Sequence, residues 1–289
     1  VWVRHGMQTF DDIKALQQTL ADWRREGHRI ALVPTMGNLH EGHLRLVDAA
    51  RQHADRVVAT VFVNPLQFGP DEDLDRYPRT LLDDQRLLAG RGCDLLFAPS
   101  VDTLYPEGQF SLTRVSVPQV SEGLCGAHRP GHFDGVATVV SLLFNLTRPD
   151  VACFGEKDFQ QLAGIRKLVR DQHMPIDIIG VPIARDHDGL ALSSRNRYLD
   201  EDARAQASRL YQCLVDSAQR LEQGANSEQV LAKGLQQLQQ AGFRPEYLAL
   251  CDATTLCPIS TWQPGAVLLA AARLGNTRLI DNLSHDSAS

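Results

Sequence analysis

Two histidines stand where a buried strand gives way to a helix. The apolar run 30–33 predicts the strand, and Pro34 and Gly37 end it. His40 and His43 then open a helical pattern that continues to about residue 54. Because residues three apart share one face of a helix, both imidazoles can point at the same ligand. A helix N-terminus favours phosphate through its N–H groups and dipole, so this corner predicts phosphate chemistry.

A His-x-x-His pair can also bind a metal ion, or lie on a solvated helix face without a function. The sequence has no third histidine or cysteine nearby at a spacing that is typical of a metal site. The strand, the glycine turn and the helix start that surround the pair favour the phosphate interpretation.

A glutamine follows the next predicted strand, residues 57–63. Gln67 is flanked by Pro65, Phe68 and Gly69, which favour a fixed loop. In parallel α/β sheets, ligands bind at the carboxyl ends of the strands. A neutral amide offers a donor and an acceptor without adding charge, which suits a small hydroxy-acid.

A second strand-to-helix corner with polar groups follows the strand predicted at 151–154. Lys157 is suited to neutralise a phosphate, Asp158 to accept hydrogen bonds from ribose hydroxyls, and Gln161 to offer a second amide. A Lys-Asp pair at a helix start is often only a cap and a surface charge. Two polar corners in one α/β chain favour the functional interpretation.

A basic and hydroxyl-rich segment follows a further strand, predicted at 176–183. Ser193 and Ser194 can donate hydrogen bonds, and Arg195 presents a planar fork that fits phosphate oxygens.

Two further sets of residues are weaker candidates. Asp83 and Asp84 begin another helix, where the helix dipole favours carboxylates; a magnesium role is the weaker interpretation. His132, in a glycine-rich loop, is a weaker catalytic candidate than His43, since it can equally order backbone.

The composition is that of a soluble globular protein. The chain has 289 residues, 43% of them hydrophobic, and a net charge of -6, which argues against a general nucleic-acid binder. Its six cysteines form no Cys-x-x-Cys, so we expect buried free thiols. No apolar run reaches the ~20 residues of a membrane helix and no signal peptide is visible, so we expect a cytoplasmic protein.

The pattern of elements predicts an α/β domain over residues 1–183 and a smaller α+β domain over 184–289 that covers the site. In the first, we expect a helix at 9–26 capped by Thr9, and an edge strand at 110–117. In the second, helical patterns at 201–222 and 227–241 precede three short strands.

The first corner resembles the His-Ile-Gly-His signature of nucleotidyl- and adenylyl-transferring α/β enzymes. Four longer strings narrow the resemblance to the pantothenate synthetase (pantoate–β-alanine ligase) family, in the same order along the chain. They are Pro-Thr-Met-Gly-Asn-Leu-His-Glu-Gly-His, Phe-Val-Asn-Pro-Leu-Gln-Phe, Phe-Gly-Glu-Lys-Asp-Phe-Gln-Gln-Leu and Leu-Ser-Ser-Arg-Asn-Arg-Tyr-Leu. Asn38 stands where the family often has alanine.

That resemblance implies a Rossmann-like parallel-sheet domain, a C-terminal lid and a homodimer. It also implies two chemical steps. The pantoate carboxylate attacks the α-phosphate of ATP, which gives pantoyl adenylate and pyrophosphate. The β-alanine amine then displaces AMP and forms pantothenate. Magnesium accompanies ATP, and its protein ligands stay unassigned.

The same resemblance assigns roles to individual residues. His43 corresponds to the proton donor, and His40, Lys157 and Arg195 act with it at the phosphates. Gln67 and Gln161 correspond to the pantoate ligands, and Gln67 also borders the β-alanine site. The ATP contacts are Met36, Gly37, Asn38, Leu39, His40, Glu41, Gly42, His43, Gly155, Glu156, Lys157, Asp158, Ala184, Leu192, Ser193, Ser194 and Arg195.

Three other functions fit part of the pattern. A nucleotidyltransferase of the same superfamily would use the same two signatures, but it has no need of the two glutamines. A non-catalytic nucleotide sensor would not require the charged groups. A tRNA-charging enzyme would carry a basic extension that this acidic chain lacks.

Overall fold

The computed structural model describes residues 6–288. Its chain forms two compact units. The first holds the residues up to Val117, Arg129–Gly155 and Gly164–Val181, and the second holds Pro118–His128, Glu156–Ala163 and the residues from Pro182 onwards. The domain boundary at residue 183 stays a prediction. A single cut there would assign Pro118–His128 and Glu156–Ala163 to the first domain, whereas both segments belong to the second unit.

The strands account for two separate sheets. They are β1 (Gln8–Phe10), β2 (Ile30–Thr35), β3 (Arg56–Val61), β4 (Leu95–Phe97), β5 (Val151–Gly155), β6 (Asp177–Val181), β7 (Arg244–Asp252), β8 (Ala266–Leu274) and β9 (Thr277–Ser284). The first unit has a parallel sheet in the order β1-β4-β3-β2-β5-β6. The second has an antiparallel sheet in the order β7-β8-β9.

Helices of very different length connect the strands. They are α1 (Ile13–Arg25), α2 (Glu41–His53), α3 (Leu81–Gly90), α4 (Val101–Leu104), α5 (Cys125–His128), α6 (His132–Thr147), α7 (Phe159–Asp171), α8 (Glu201–Ala207), α9 (Arg209–Glu222), α10 (Ser227–Gln240) and α11 (His285–Ala288). Short 3-10 helices cover Pro65–Gln67, Glu156–Asp158 and Ser194–Tyr198. None of the helices within residues 6–288 is long and apolar enough to cross a membrane.

Apolar strands explain the position of the first sheet. Residues 30–33 of β2 are fully buried, as expected for a central strand that is covered on both faces. In the second unit, Leu210 and Leu214 of α9 share a core with Leu268 and Ala270 of β8. The predicted fold class, a parallel α/β sheet with a smaller α+β part, is confirmed.

The predicted start of the first helix is wrong by several residues. Thr9 lies in β1 and pairs with Leu96 of β4, so it does not cap the helix. Asp12 is the N-cap, and its Oδ1 accepts a hydrogen bond from the N–H of Ala15 at 2.8 Å. Residues 9 and 10, which local capping rules assigned to the helix, instead form a short parallel strand paired with β4.

The predicted edge strand at 110–117 is also wrong, and the segment has no strand. The N–H of Ser111 donates to the carbonyl of Gly108 in a turn, and the N–H of Val115 donates to Thr138 Oγ1 at 2.9 Å. Phe110, the first residue of the predicted strand, is 89% exposed. Likewise, the helical pattern at 201–222 forms α8 and α9, separated at Ser208.

The six cysteines are free, and Cys257 alone among them is exposed. Burial raises the pKa of the Cys93 thiol to about 12. The prediction of buried free thiols is confirmed for five of the six cysteines and is wrong for Cys257.

Candidate active site

The loop between β2 and α2 depends on one glycine. Gly37 has φ +81° and is buried. A Cβ at this position would lie 2.9 Å from Val61 Cγ1 and 3.0 Å from Asp84 Oδ2. Glycine is therefore required twice, for the left-handed backbone and for the close approach of β3 and α3.

The backbone of the helix start fixes the tautomer of both histidines. His40 is the N-cap of α2, and its Nδ1 accepts a hydrogen bond from the N–H of Gly42 at 3.1 Å. His43 Nδ1 accepts one from the N–H of His40 at 3.2 Å, and the two rings lie 4.1 Å apart between centroids. In each neutral ring the proton therefore sits on Nε2, which makes Nε2–H a hydrogen-bond donor.

A buried carboxylate holds the loop that precedes the histidines. Asp84, in the first turn of α3, is 1% exposed. Its Oδ2 accepts a hydrogen bond from the N–H of Asn38 at 3.0 Å, and its Oδ1 accepts one from the N–H of Leu39 at 2.8 Å. Sequence reasoning missed this role. The available signal was the four-residue spacing between Asp84 and buried Leu88, which places both on one helix face.

Gln67 lies against the same loop. Its Nε2 is 3.2 Å from Met36 Sδ, and its Oε1 accepts a hydrogen bond from Asn64 Nδ2 at 3.0 Å. Asn64 is 1% exposed and is held in turn by the hydroxyl of Tyr105, which donates to Asn64 Oδ1 at 2.7 Å. The structure thus brings together two segments that the sequence singled out separately. Each end of the Gln67 amide thus has one protein partner, and its second N–H and the second lone pair of Oε1 are available to a ligand.

Helix α6 supports the Gln67 loop from the other side. His132 Nδ1–H donates to the carbonyl of Gln67 at 2.8 Å, and Arg129 donates to His132 Nε2 at 3.1 Å. Arg129 also forms a bidentate pair with Glu72, at 2.7 and 2.6 Å. Of the two interpretations of His132, the structure supports the backbone-ordering one.

In the second unit, neighbouring glutamines have different environments. Gln160 is 6% exposed; its Oε1 accepts from the N–H of Cys125, and its Nε2 donates to the carbonyls of Val120 and Gly123. Gln160 therefore holds the 120–125 loop. Gln161, the next residue, is half-buried.

The predicted residues at 155–158 and 184–192 lie in two turns, and all but Gly155 belong to the second unit. Gly155 ends β5, and Glu156, Lys157 and Asp158 form the 3-10 helix that follows. Lys157 is half-buried and Asp158 is exposed. In the second turn, the carbonyl of Ala184 accepts a hydrogen bond from the N–H of Leu192 at 2.9 Å.

The Ser-Ser-Arg segment begins a 3-10 helix. Ser193 Oγ accepts a hydrogen bond from the N–H of Arg195 at 3.2 Å and so caps the helix that Ser194 begins. Both serines and Arg195 are half-buried. The capping bond fixes the backbone of Arg195 relative to the hydroxyl of Ser193.

A group of potential metal ligands lies beside the second turn. Asp186, His187 and Asp188 each offer an atom within 4.8 Å of the others, and all three are exposed. Arg204 pairs with both carboxylates, and hydrogen bonds from His187 and Arg204 hold the pKa of Asp186 below its usual range. These carboxylates are already neutralised, so the donor set does not fit a built cation site.

Comparison with known proteins decides the family. A family model described as pantoate-beta-alanine ligase matches residues 8–284. The chain belongs to the pantoate–β-alanine ligase family. The resemblance drawn from the four sequence strings is therefore confirmed.

Close relatives of this ligase family cover nearly the whole chain. The pantothenate synthetase of Azotobacter vinelandii is 58% identical over 283 residues, which is 98% of this chain and 100% of the relative. That of Chromohalobacter salexigens is 59% identical over 96% of this chain and 98% of its own length.

Solved structures of the family have the same fold. The pantothenate synthetase of Thermus thermophilus matches with a TM-score of 0.91 at 47% identity, over 96% of this chain and 99% of its own. The pantoate-beta-alanine ligase of Francisella tularensis, described as complexed with beta-gamma ATP and beta-alanine, matches with a TM-score of 0.81 at 33% identity, over 98% of this chain and 100% of its own.

Proposed function

We propose that the chain joins pantoate to β-alanine with ATP, giving pantothenate, AMP and pyrophosphate through pantoyl adenylate. The observation that carries the proposal is the pair of Nε2–H histidines at the start of α2, with the Gln67 amide in contact with the loop that precedes them. A ligand that contacts both the histidine pair and Gln67 would carry a phosphate next to a small polar acid. Membership of the pantoate–β-alanine ligase family supplies the identity of that acid.

In the first step, a carboxylate oxygen of pantoate attacks the α-phosphorus of ATP. The bond from that phosphorus to the bridging oxygen breaks, and its electrons leave with pyrophosphate. Two anions approach each other, so donors and cations must offset charge on the phosphoryl oxygens. His43 and His40 supply Nε2–H donors for this, and the N–H groups at the start of α2 act in the same direction.

The substrate acid is assigned to the two glutamines. Gln67 donates to a pantoate oxygen through the N–H that Met36 does not use, and it borders the β-alanine site. Gln161 supplies a second amide to pantoate. Neutral amides recognise hydroxyl and carboxylate oxygens without competing with the cations at the phosphates.

The second unit contributes most of the positive charge in this proposal. Lys157 and Arg195 neutralise phosphate oxygens, and the hydroxyls of Ser193 and Ser194 donate to them. Asp158 accepts from the ribose. Gly155, Glu156, Ala184 and Leu192 contact ATP chiefly through backbone, as do residues 36–39, Glu41 and Gly42 of the first unit.

In the second step, the β-alanine nitrogen attacks the acyl carbon of pantoyl adenylate. The bond from that carbon to the phosphate oxygen breaks, AMP leaves, and the nitrogen loses a proton as the amide forms. The adenylate is an activated acid that water can also hydrolyse. Excluding water at this stage is the role that the sequence assigns to the C-terminal domain as a lid.

Magnesium accompanies ATP in this proposal, held by phosphate oxygens and water. Mg²⁺ usually keeps several waters and is bound through substrate phosphates. Asp84 uses both of its oxygens on backbone N–H groups. No protein ligand and no chemical step is therefore assigned to the ion.

The proposal extends to a homodimer, which the family resemblance implies, and to a cytoplasmic location, which the sequence alone predicts. Light scattering on the eluting protein tests the dimer: we expect twice the mass of one chain. The mass of a single chain at micromolar concentration would contradict it.

Pyrophosphate exchange tests the proposed reaction. With ATP, pantoate and labelled pyrophosphate but no β-alanine, we expect label to enter ATP only when pantoate is present. With β-alanine added, AMP should be released. Exchange without pantoate, or a product that retains the nucleotide, would instead indicate a nucleotidyltransferase.

A further inference from the structure

Two neighbouring polar residues of β9 are buried. Asp281 and Asn282 are each 4% exposed, in a strand whose other buried residues are Thr277, Leu279 and Leu283. Burying an amide or a carboxylate is costly unless the group is hydrogen-bonded. Both residues therefore need hydrogen-bond partners. The segments that supply these partners are the ones that the pair fixes in place.

The Asn282 side chain donates to the turn that carries Lys157. Its Nδ2 lies 2.8 Å from the carbonyl oxygen of Glu156 and 3.1 Å from that of Lys157. An amide nitrogen has two hydrogens, and both are used here. One side chain thus fixes two consecutive peptide groups of the 3-10 helix Glu156–Asp158.

Asp281 holds the other turn of the second unit. It forms a bidentate pair with Arg185 at 2.7 and 2.9 Å. Arg185 lies 3.7 Å over the ring of Tyr211 and also donates to the carbonyl of Gly189. Arg185 directly follows Ala184, so this network anchors the second turn to the same point on β9.

We propose that Asn282 is a positioning residue that sets the Lys157 ammonium for the adenylation step. The inference rests on the proposed function, because it takes Lys157 as a phosphate-binding group. The proposal makes a specific chemical requirement: the side chain at position 282 must donate hydrogen bonds to two carbonyls. Aspartate has the same shape but would present carboxylate oxygens to those carbonyls, whereas alanine leaves room for water to bridge them.

The test compares Asn282→Asp and Asn282→Ala with Asn226→Asp as a matched control. Asn226 caps α10 by accepting a hydrogen bond from the N–H of Gln229, which aspartate can also do. We expect Asn282→Asp to lower kcat/KM for ATP in pantoate-dependent exchange by ~100-fold, as for a misplaced reacting group. Asn282→Ala should lose less, and Asn226→Asp should match the unmodified protein.

The Lys157→Ala background separates positioning from packing. The order of the two variants alone does not, because a buried carboxylate that faces two carbonyls would weaken a purely structural contact as well. The same variants in a Lys157→Ala background should have little further effect, because the group that they misplace is already gone. Circular dichroism checks that each variant is folded.

Three results would overturn the inference: wild-type kcat/KM in folded Asn282→Asp, an equally large effect in the Lys157→Ala background, or failure of both Asn282 variants to fold. The last would show that the residue serves the core. The proposed function fails separately, through absence of pantoate-dependent exchange in the unmodified protein.

Discussion

At the scale of single residues, the hydrogen bonds to Nδ1 determine what the histidine pair can offer a ligand. Both Nδ1 atoms accept backbone N–H groups, so a proton added there would break a bond that orders the helix start. The neutral Nε2–H form is therefore the one that the local backbone favours. It is also the form that donates to a phosphoryl oxygen while keeping the N-cap intact.

Replacing His43 by alanine removes one of these donors. We expect the rate of pantoate-dependent pyrophosphate exchange to fall ~100-fold or more, as for other donors that stabilise transition-state charge. The matched control is His53→Ala, in the last turn of the same helix, where the side chain is exposed. Equal activity of the two variants would contradict the role of His43.

Asp84 is the residue on which the histidine loop rests. Asp84→Asn turns one acceptor oxygen into an NH₂ group that faces a backbone N–H, so one hydrogen bond is lost and a donor is left unpaired. We expect a loss of ~1–3 kcal/mol in the free energy of unfolding and a higher KM for ATP. Chemical denaturation and exchange kinetics measure the two effects.

Its neighbour Asp83 provides the control for that substitution. Asp83 is exposed and pairs only with Arg86 among the contacts described for its carboxylate. Asp83→Asn should leave both stability and KM close to those of the unmodified protein. A similar loss in both variants would mean that charge at the start of α3, and not the contact with the loop, is what matters.

At the scale of elements, the Gln67 loop is shaped by its closeness to α6. A Cβ on Gly135 would lie 2.4 Å from the carbonyl oxygen of Leu66 and 2.7 Å from the N of Gln67. Both obstacles are backbone, so the loop itself must move to admit a methyl group. The sequence shows Gly135 only as one glycine among several.

We therefore expect Gly135→Ala to raise KM for pantoate more than KM for ATP, because it shifts the backbone of Gln67. The overpacking should also cost ~1–3 kcal/mol of stability. Gly90→Ala, at the end of α3 with open space around the new methyl group, serves as the control and should be neutral or stabilising. Equal changes in both KM values would argue against a specific effect on the acid site.

Elements that depend on short-range patterns were predictable, and those that depend on distant partners were not. The strand-turn-helix at His40 follows from apolar runs, Gly37 and helical spacing, all within about 20 residues. The loop-holding role of Asp84 depends on a partner 45 residues away, and that of Asn282 on one 126 residues away. The edge strand at 110–117 failed because alternation alone does not supply a neighbouring strand.

At the scale of the whole molecule, the two units carry different parts of the proposed chemistry. The first has the histidine pair and Gln67, and the second has Lys157, Gln161 and the Ser-Ser-Arg segment. The order of the motifs along the chain could be predicted from the family strings. The grouping of 118–128 and 156–163 with the second unit could not, since it depends on tertiary contacts such as those of Cys125 with Tyr247 and of Glu156 with Asn282.

The central claim is that pantoate becomes covalently joined to AMP during turnover, and oxygen transfer tests it most directly. The ligation is run with ATP, β-alanine and pantoate in which both carboxylate oxygens are ¹⁸O. Because the bond from the acyl carbon to the phosphate oxygen breaks in the second step, each AMP released should carry one labelled oxygen. AMP without label, formed in step with pantothenate, would contradict the adenylate pathway.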